Sequence, residues 1–265
     1  MLTNFHTHTT FCDGKNTAEE VVLSALSKGF DAIGFSGHGY TAFDFTYCMM
    51  DMAAYLAEIR RLKEKYKKDI EIYAGVEEDA FYPLDRKMFD YVLGSSHYFY
   101  VDRVYYPVDS NYACLEKCLS VYRGDFLSMA EDYYSAFCRY INTYRPNIIG
   151  HFDLLTKFDE QHPLFLISDE YKKLSVRFAC EAAKSGAIFE VNTGAISRGY
   201  RTAPYPHESI LYALRREGAK VILCADSHAA DTIDYGFEDA KALLRSVGFS
   251  AVSTLYHGEF VSVAI

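Results

Sequence analysis

The chain has 265 residues, is 50% apolar and carries a formal net charge of -9. That length is enough for one large domain with a substantial core. The acidic balance argues against a long nucleic-acid backbone as partner, because such binding needs clustered Lys and Arg. A small substrate fits better, and any phosphate it carries would need local positive charge from metal ions or a few arginines. The start, Met1-Leu-Thr-Asn-Phe-His6, has no basic segment followed by a long apolar stretch, and no 18-residue uncharged apolar run occurs downstream. A cytoplasmic protein with no membrane partner is expected. The seven cysteines are odd in number and include no C-x-x-C pair, so they are read as reduced thiols.

In chain order, short β-type runs alternate with segments of helical period, as in a parallel sheet or barrel covered by helices. Residues 2–5 predict a first strand, and Thr17-Ala-Glu-Glu20 is a capping box opening a helix to Gly29. Strands are predicted at 31–35, 70–76 and 90–94, with an amphipathic helix at 51–67. An aromatic-rich stretch with Pro107, at about 98–112, breaks the repeat and reads as an insertion, either walling a pocket or forming a surface flap. Helices follow at 113–122 and 125–144, a strand at 147–150, a helix at 169–184 and a strand at 187–191. A helix at 206–216, a strand at 220–224, a helix at 237–247 and strands at 249–255 and 259–263 complete a single domain over 1–265. No repeat or linker-like segment interrupts it.

Ionisable residues fall just after the strands. His6 and His8 follow the first, His38 the second, Glu77 the third, His97 the fourth and His151 the fifth, with Asp226 and His228 after the strand ending at Cys224. In a parallel barrel the loops after the strands form one face, so these residues can meet. One histidine near a strand end is ordinarily a hydrogen-bonded structural residue; six at equivalent positions beside carboxylates favour a metal site. Imidazole and carboxylate suit Zn, Mn or Fe. Strand alternation puts His6 and His8 on one side, and Asp13 adds a carboxylate on a turn.

The ordered motifs His6-Thr-His8, Phe11-Cys-Asp13-Gly, Ser36-Gly-His38, Gly75-Val-Glu77, Ser96-His97, Gly150-His151, Glu190-Val-Asn192-Thr-Gly194 and Ala225-Asp226-Ser-His228 span the chain. Together they resemble the polymerase-and-histidinol-phosphatase (PHP) family of metal-dependent phosphoesterases. The resemblance implies an α/β fold, a distorted (β/α)7 barrel, holding two to three divalent ions. It also implies the ligand set His6, His8, Asp13, His38, Glu77, His97, His151, Asp226 and His228, with Glu77 bridging. Many relatives have Asp where this chain has Gly37, a departure that removes no expected ligand. Adjacent Glu78 should point away from Glu77 by alternation.

Clustered cations would lower the pKa of a bridging water and clamp the phosphoryl oxygens, so hydroxide would be the nucleophile, with Glu77, Asp226 and His228 as catalytic residues. Within the family, the Glu190–Gly194 stretch and the loop with Arg198 and Arg201 most resemble histidinol-phosphate phosphatases. This implies hydrolysis of L-histidinol phosphate; the alternatives are another small phosphoester, a nucleotide or a phosphotyrosyl peptide. A non-catalytic metal-binding module is disfavoured because no ligand position is apolar. Arg198 is expected to contact phosphate, and Arg201 and Asn192 are candidates for substrate contact. For both arginines the alternative is a solvated loop charge, and for Asn192 and Glu190 a structural tie. The sequence does not fix the oligomeric state.

Overall fold

A computed structural model describes residues 1–265. Seven strands run parallel in chain order: β1 (Thr3–Asn4), β2 (Ala32–Phe35), β3 (Glu71–Asp79), β4 (Tyr91–Ser95), β7 (Ile148–Ile149), β8 (Ile188–Asn192) and β9 (Val221–Cys224). Between them lie α1 (Ala18–Ser27), α2 (Met52–Lys65), α3 (Tyr112–Val121), α4 (Phe126–Tyr144), α5 (Asp169–Ala183), α6 (Gly194–Ser197) and α7 (Glu208–Arg216). After β9 come α8 (Phe237–Val247) and the antiparallel pair β10 (Ala251–Tyr256) and β11 (Glu259–Ala264). No helix is long and apolar enough to cross a membrane.

The strands close into a distorted (β/α)7 barrel. At the C-terminal end of the strands, the chain beyond β1 pairs directly with the chain beyond β9: Thr7 bridges Ser227, and His8 N donates to Ser227 O at 2.8 Å. At the other end β10 enters the seam, with Ser253 opposite Ile222 and Thr254 Oγ1 2.8 Å from Thr3 Oγ1. The barrel is thus zipped at one end and wedged at the other, and β1 covers Thr3–Asn4 of the strand expected at 2–5.

Large residues fill the interior. Phe5, Tyr73, Tyr91, Leu93, Ile148, Ile188 and Ile222 form one buried cluster, and the Tyr91 hydroxyl donates to Phe5 O at 2.7 Å. Gly34 makes room for it, since a Cβ there would stand 2.5 Å from the Tyr91 hydroxyl. Two further cores pack the helices against the outside, as binary patterning requires.

Local signals act where they stand. Thr17 and Glu20 form the capping box at α1, with Thr17 N donating to Glu20 Oε2 at 2.8 Å. The 98–112 stretch contains a hairpin of β5 (Tyr98–Val101) and β6 (Val104–Pro107), turned by Asp102 and Arg103, both with positive φ. The helix predicted from 206 begins at Glu208, because His207 is its cap and accepts from Ser209 N at 3.3 Å.

Candidate metal centre

The nine expected ligand residues meet at the C-terminal end of the strands. At their centre is Glu77, 1% exposed. Glu77 Oε2 lies 3.2 Å from His6 Nε2, 3.5 Å from His8 Nε2 and 2.9 Å from His38 Nδ1; Oε1 lies 3.3 Å from His97 Nε2 and 3.0 Å from His151 Nε2. One carboxylate thus faces five imidazoles. Asp226 Oδ1 is 3.2 Å from His8 Nε2 and 3.6 Å from His6 Nε2, and Asp13 Oδ2 is 3.3 Å from His228 Nε2. Asp226 has φ 45°, in the left-handed region, a backbone outlier at the point where the barrel closes.

Several of these atoms are buried and unsatisfied: His6 Nε2, His8 Nε2, Glu77 Oε2, His97 Nδ1 and His151 Nδ1 have no hydrogen-bond partner. Buried polar groups are normally paired, and three of these, His6 Nε2, His8 Nε2 and Glu77 Oε2, face one another, which marks a place for a cation. Four overlapping groups are close enough to surround an ion: His6, His8 and Asp226; His6, Glu77 and His151; His38, Glu77 and His97; and His8, Asp13, His38 and His228. A neutral imidazole has one lone pair, so groups sharing a histidine cannot all be filled through the same atom. The donor set therefore fits two or three ions of the Zn, Mn or Fe type.

The electrostatics agree. Burial alone would lower the His6 pKa, but Glu190, Glu77 and Asp226 outweigh it and raise it to about 10. Burial likewise opposes charge on His38, yet Glu77 and Asp13 lift it to about 9. Burial would raise Glu77, and the His6, His38 and His97 rings hold it well below the usual carboxylate range. Raised imidazoles beside a depressed carboxylate mark a site that draws positive charge. His228 differs: burial and the charge on His8 push it down to about 4, so it is neutral.

Supporting contacts orient the cluster. Glu190 Oε1 lies 2.6 Å from His6 Nδ1, and its Oε2 accepts from His151 N at 2.7 Å. Alternation separates the acidic pair of β3. Glu78 pairs with Arg86, and the Tyr140 hydroxyl donates to it at 2.6 Å. Asp79 returns to the site side, 3.4 Å from His97 Nδ1; it was missed in the sequence, although the same alternation places it with Glu77.

A pocket of about 290 Å³ opens over the cluster, lined by Asp13, His38, His97 and His228 together with Tyr47, Tyr98, Asp109, Lys157, Arg198 and Tyr200. Arg198 Nη2 donates to Asp226 Oδ2 at 2.9 Å and its Nη1 to Asp226 O at 3.0 Å. Lys157, also missed, donates to Asp109 O at 2.7 Å; nothing in its spacing marks it. Tyr98 walls the pocket, whereas Tyr100 on the same hairpin is 48% exposed.

Two residues expected as candidates for substrate contact do not line this pocket. Asn192 is fully buried: its Nδ2 donates to Glu190 Oε2 at 2.9 Å and its Oδ1 accepts from Gly194 N at 2.8 Å, so its amide is consumed behind the site. Arg201, 5% exposed, donates to Thr156 Oγ1 and lies over the Tyr205 ring, 4.5 Å from its centroid, outside the pocket.

Residues 4–194 match the PHP domain. The chain belongs to the PHP domain family. A Schizosaccharomyces pombe protein named "Probable histidinol-phosphatase" is 26% identical over 97% of the chain and 90% of its own length. The histidinol-phosphatase of Bacillus subtilis is 24% identical over 88% of the chain and 96% of its own length. Among solved structures, the Lactococcus lactis histidinol phosphate phosphatase, complexed with zinc, L-histidinol and phosphate, superposes with a TM-score of 0.74 at 20% identity, covering 98% of each chain. At that identity the superposition speaks for the fold of this PHP domain.

Proposed function

We propose that this PHP domain is a divalent-metal-dependent phosphomonoesterase that hydrolyses L-histidinol phosphate to L-histidinol and phosphate. The carrying observation is Glu77, ringed by five imidazoles and unsatisfied at Oε2 together with His6 Nε2 and His8 Nε2, beneath a pocket holding two cationic side chains. The names of its curated relatives support the substrate.

In this reading His6, His8, Asp13, His38, Glu77, His97, His151, Asp226 and His228 hold the ions. Bound there, divalent cations supply Lewis acidity, drawing charge from phosphoryl oxygens and lowering the pKa of water toward neutrality. The remaining work belongs to the chain. Arg198, fixed on Asp226, presents a guanidinium that can bind two phosphoryl oxygens in one plane. Lys157 adds a second positive charge, tempered by Asp109. Tyr47, Tyr98 and Tyr200 give flat apolar walls that suit an imidazole ring and limit water. In hydrolysis a water oxygen joins phosphorus as the ester phosphorus–oxygen bond breaks, and a proton from that water goes to the departing alcohol oxygen; Asp226 and His228, which line the pocket, are the groups assigned to pass it.

The test is phosphate release from a substrate panel after stripping and refilling with Zn, Mn or Fe. L-Histidinol phosphate should far outpace a generic aryl phosphate; equal turnover overturns the substrate. Undiminished activity after chelation overturns the metal requirement.

A further inference from the structure

Cys12 lies in the turn between two of these residues, His8 and Asp13. Its sulfur fills the space beside Gly37, where a Cβ would stand 2.8 Å from Cys12 Sγ. The same sulfur is 3.6 Å from His8 Nδ1. Across the ring, His8 Nε2 is buried, has no hydrogen-bond partner and faces Asp226 Oδ1 at 3.2 Å.

A neutral imidazole carries one N–H and one lone pair. His8 can offer Nε2 to a cation only if the proton sits on Nδ1, and a buried proton there needs an acceptor. Asp13 Oδ1, at 3.5 Å, is the other candidate, but the Asp13 carboxylate also faces His38 and His228. His8, Asp13, His38 and His228 are themselves close enough to surround an ion, so the His8 lone pair has two directions open to it. Something must choose between them.

We infer that Cys12 is a positioning residue: its sulfur accepts a hydrogen bond from His8 Nδ1–H, commits His8 to binding through Nε2, and requires glycine at position 37. This rests on the metal reading above. Histidine ligands are generally fixed in this way by a partner on the other ring nitrogen, and loss of the partner weakens metal binding about tenfold to hundredfold.

The experiment is zinc affinity of the full chain, by competition with a chromophoric chelator. Cys12→Val fills the space without an acceptor, whereas Cys12→Ser keeps an acceptor in less volume. Acceptor loss predicts that Val weakens zinc binding about tenfold or more and that Ser retains most of it. A Val variant that binds like wild type, or Ser and Val weakened equally, overturns the inference. If Cys12→Val does not fold, Cys12→Ala/Gly37→Asp puts a carboxylate acceptor in the vacated space and should bind zinc more tightly than Cys12→Ala alone; equal affinities overturn it. Cobalt-loaded protein should lack a thiolate-to-metal charge-transfer band, and its presence would make Cys12 a ligand instead. Wild-type protein that takes up no zinc overturns the metal reading itself, a separate result.

Discussion

Glu77 and Glu78 are consecutive in β3, yet their carboxylates serve opposite sides of the sheet: one faces five histidines, the other is held by Arg86 and Tyr140. The two positions should separate function from stability. Glu77→Gln is expected to abolish metal-dependent turnover while keeping the fold. Glu78→Gln should leave bound metal per chain unchanged and cost about 3 kcal/mol, near the lower end for breaking a buried pair because Arg86 is partly exposed. Metal analysis and denaturant unfolding of both variants check this, and the reverse pattern would mean that the wrong glutamate has been placed at the centre.

Glu190 is the counterpart behind His6. Replacing it by Gln keeps the size but removes the charge that orients the His6 ring, and zinc affinity should fall about tenfold to hundredfold. Asn192→Ala should act in the same direction through Glu190, with the KM for substrate unchanged at saturating zinc. A raised KM alone would restore Asn192 as a substrate contact.

Arg198→Ala should lower kcat/KM by about a hundredfold, the scale of one strong charge-assisted hydrogen-bond pair. Because Arg198 also anchors Asp226, zinc content must be measured alongside. Lost zinc with an unchanged KM would assign the arginine to Asp226 only.

Metal and protons compete for the same atoms. In the metal-free protein His6 is raised to about 10 and His38 to about 9, from an ordinary 6.5. Zinc uptake at pH 7 should therefore release protons, readable by calorimetry in buffers of different ionisation heat, and affinity should rise with pH toward 9 and above. Stability of the metal-free chain moves the other way. The contribution of protonated His6 and His38 is complete below about 6.5 and is lost as pH rises through 9 and 10, while that of ionised Glu77 is lost as pH falls below 4.5. The gap in Tm between zinc-loaded and chelated protein should widen from pH 6.5 to 9. A constant gap would contradict the assigned protonation.

Gly194 approaches Asp226 so closely that a Cβ there would lie 2.9 Å from Oδ2 and 2.8 Å from Cβ of that residue. Gly194→Ala should displace Asp226 and reduce both zinc content and kcat, with circular dichroism unchanged. Wild-type kinetics in this variant would show that the loop yields.

The strand-end histidines were legible because parallel strands in a barrel carry their final side chains to one face, whatever their separation in sequence. Alternation correctly sent Glu78 away from Glu77, and applied one step further it would have found Asp79. The side chains of Arg201 and Asn192 were not legible for a definite reason: both lie in or just before the loop after β8, and sequence shows that the loop is near the site without showing which side chains turn inward. Arg201 turns to Thr156 and Tyr205, and Asn192 to Glu190. Cys12 was read as one of several unremarkable thiols, because its meaning depends on Gly37, a neighbour in space only. The wedge of β10 into the barrel seam is likewise a matter of shape, which hydrophobic patterning does not encode.

The seam itself sets an order of events. Thr7, the middle residue of the His6-Thr-His8 motif, is bridged to Ser227, beside Asp226 and His228, so the first and last ligands are joined by the contact that closes the barrel. A chain emerging from the ribosome would have its opening histidines long before Asp226 is made, and closing so long a loop is among the slower steps available to a folding protein. The two groups that include Asp226 or His228 therefore assemble only with that closure, whereas those built on Glu77 with His6 and His151, or with His38 and His97, need no residue after β8.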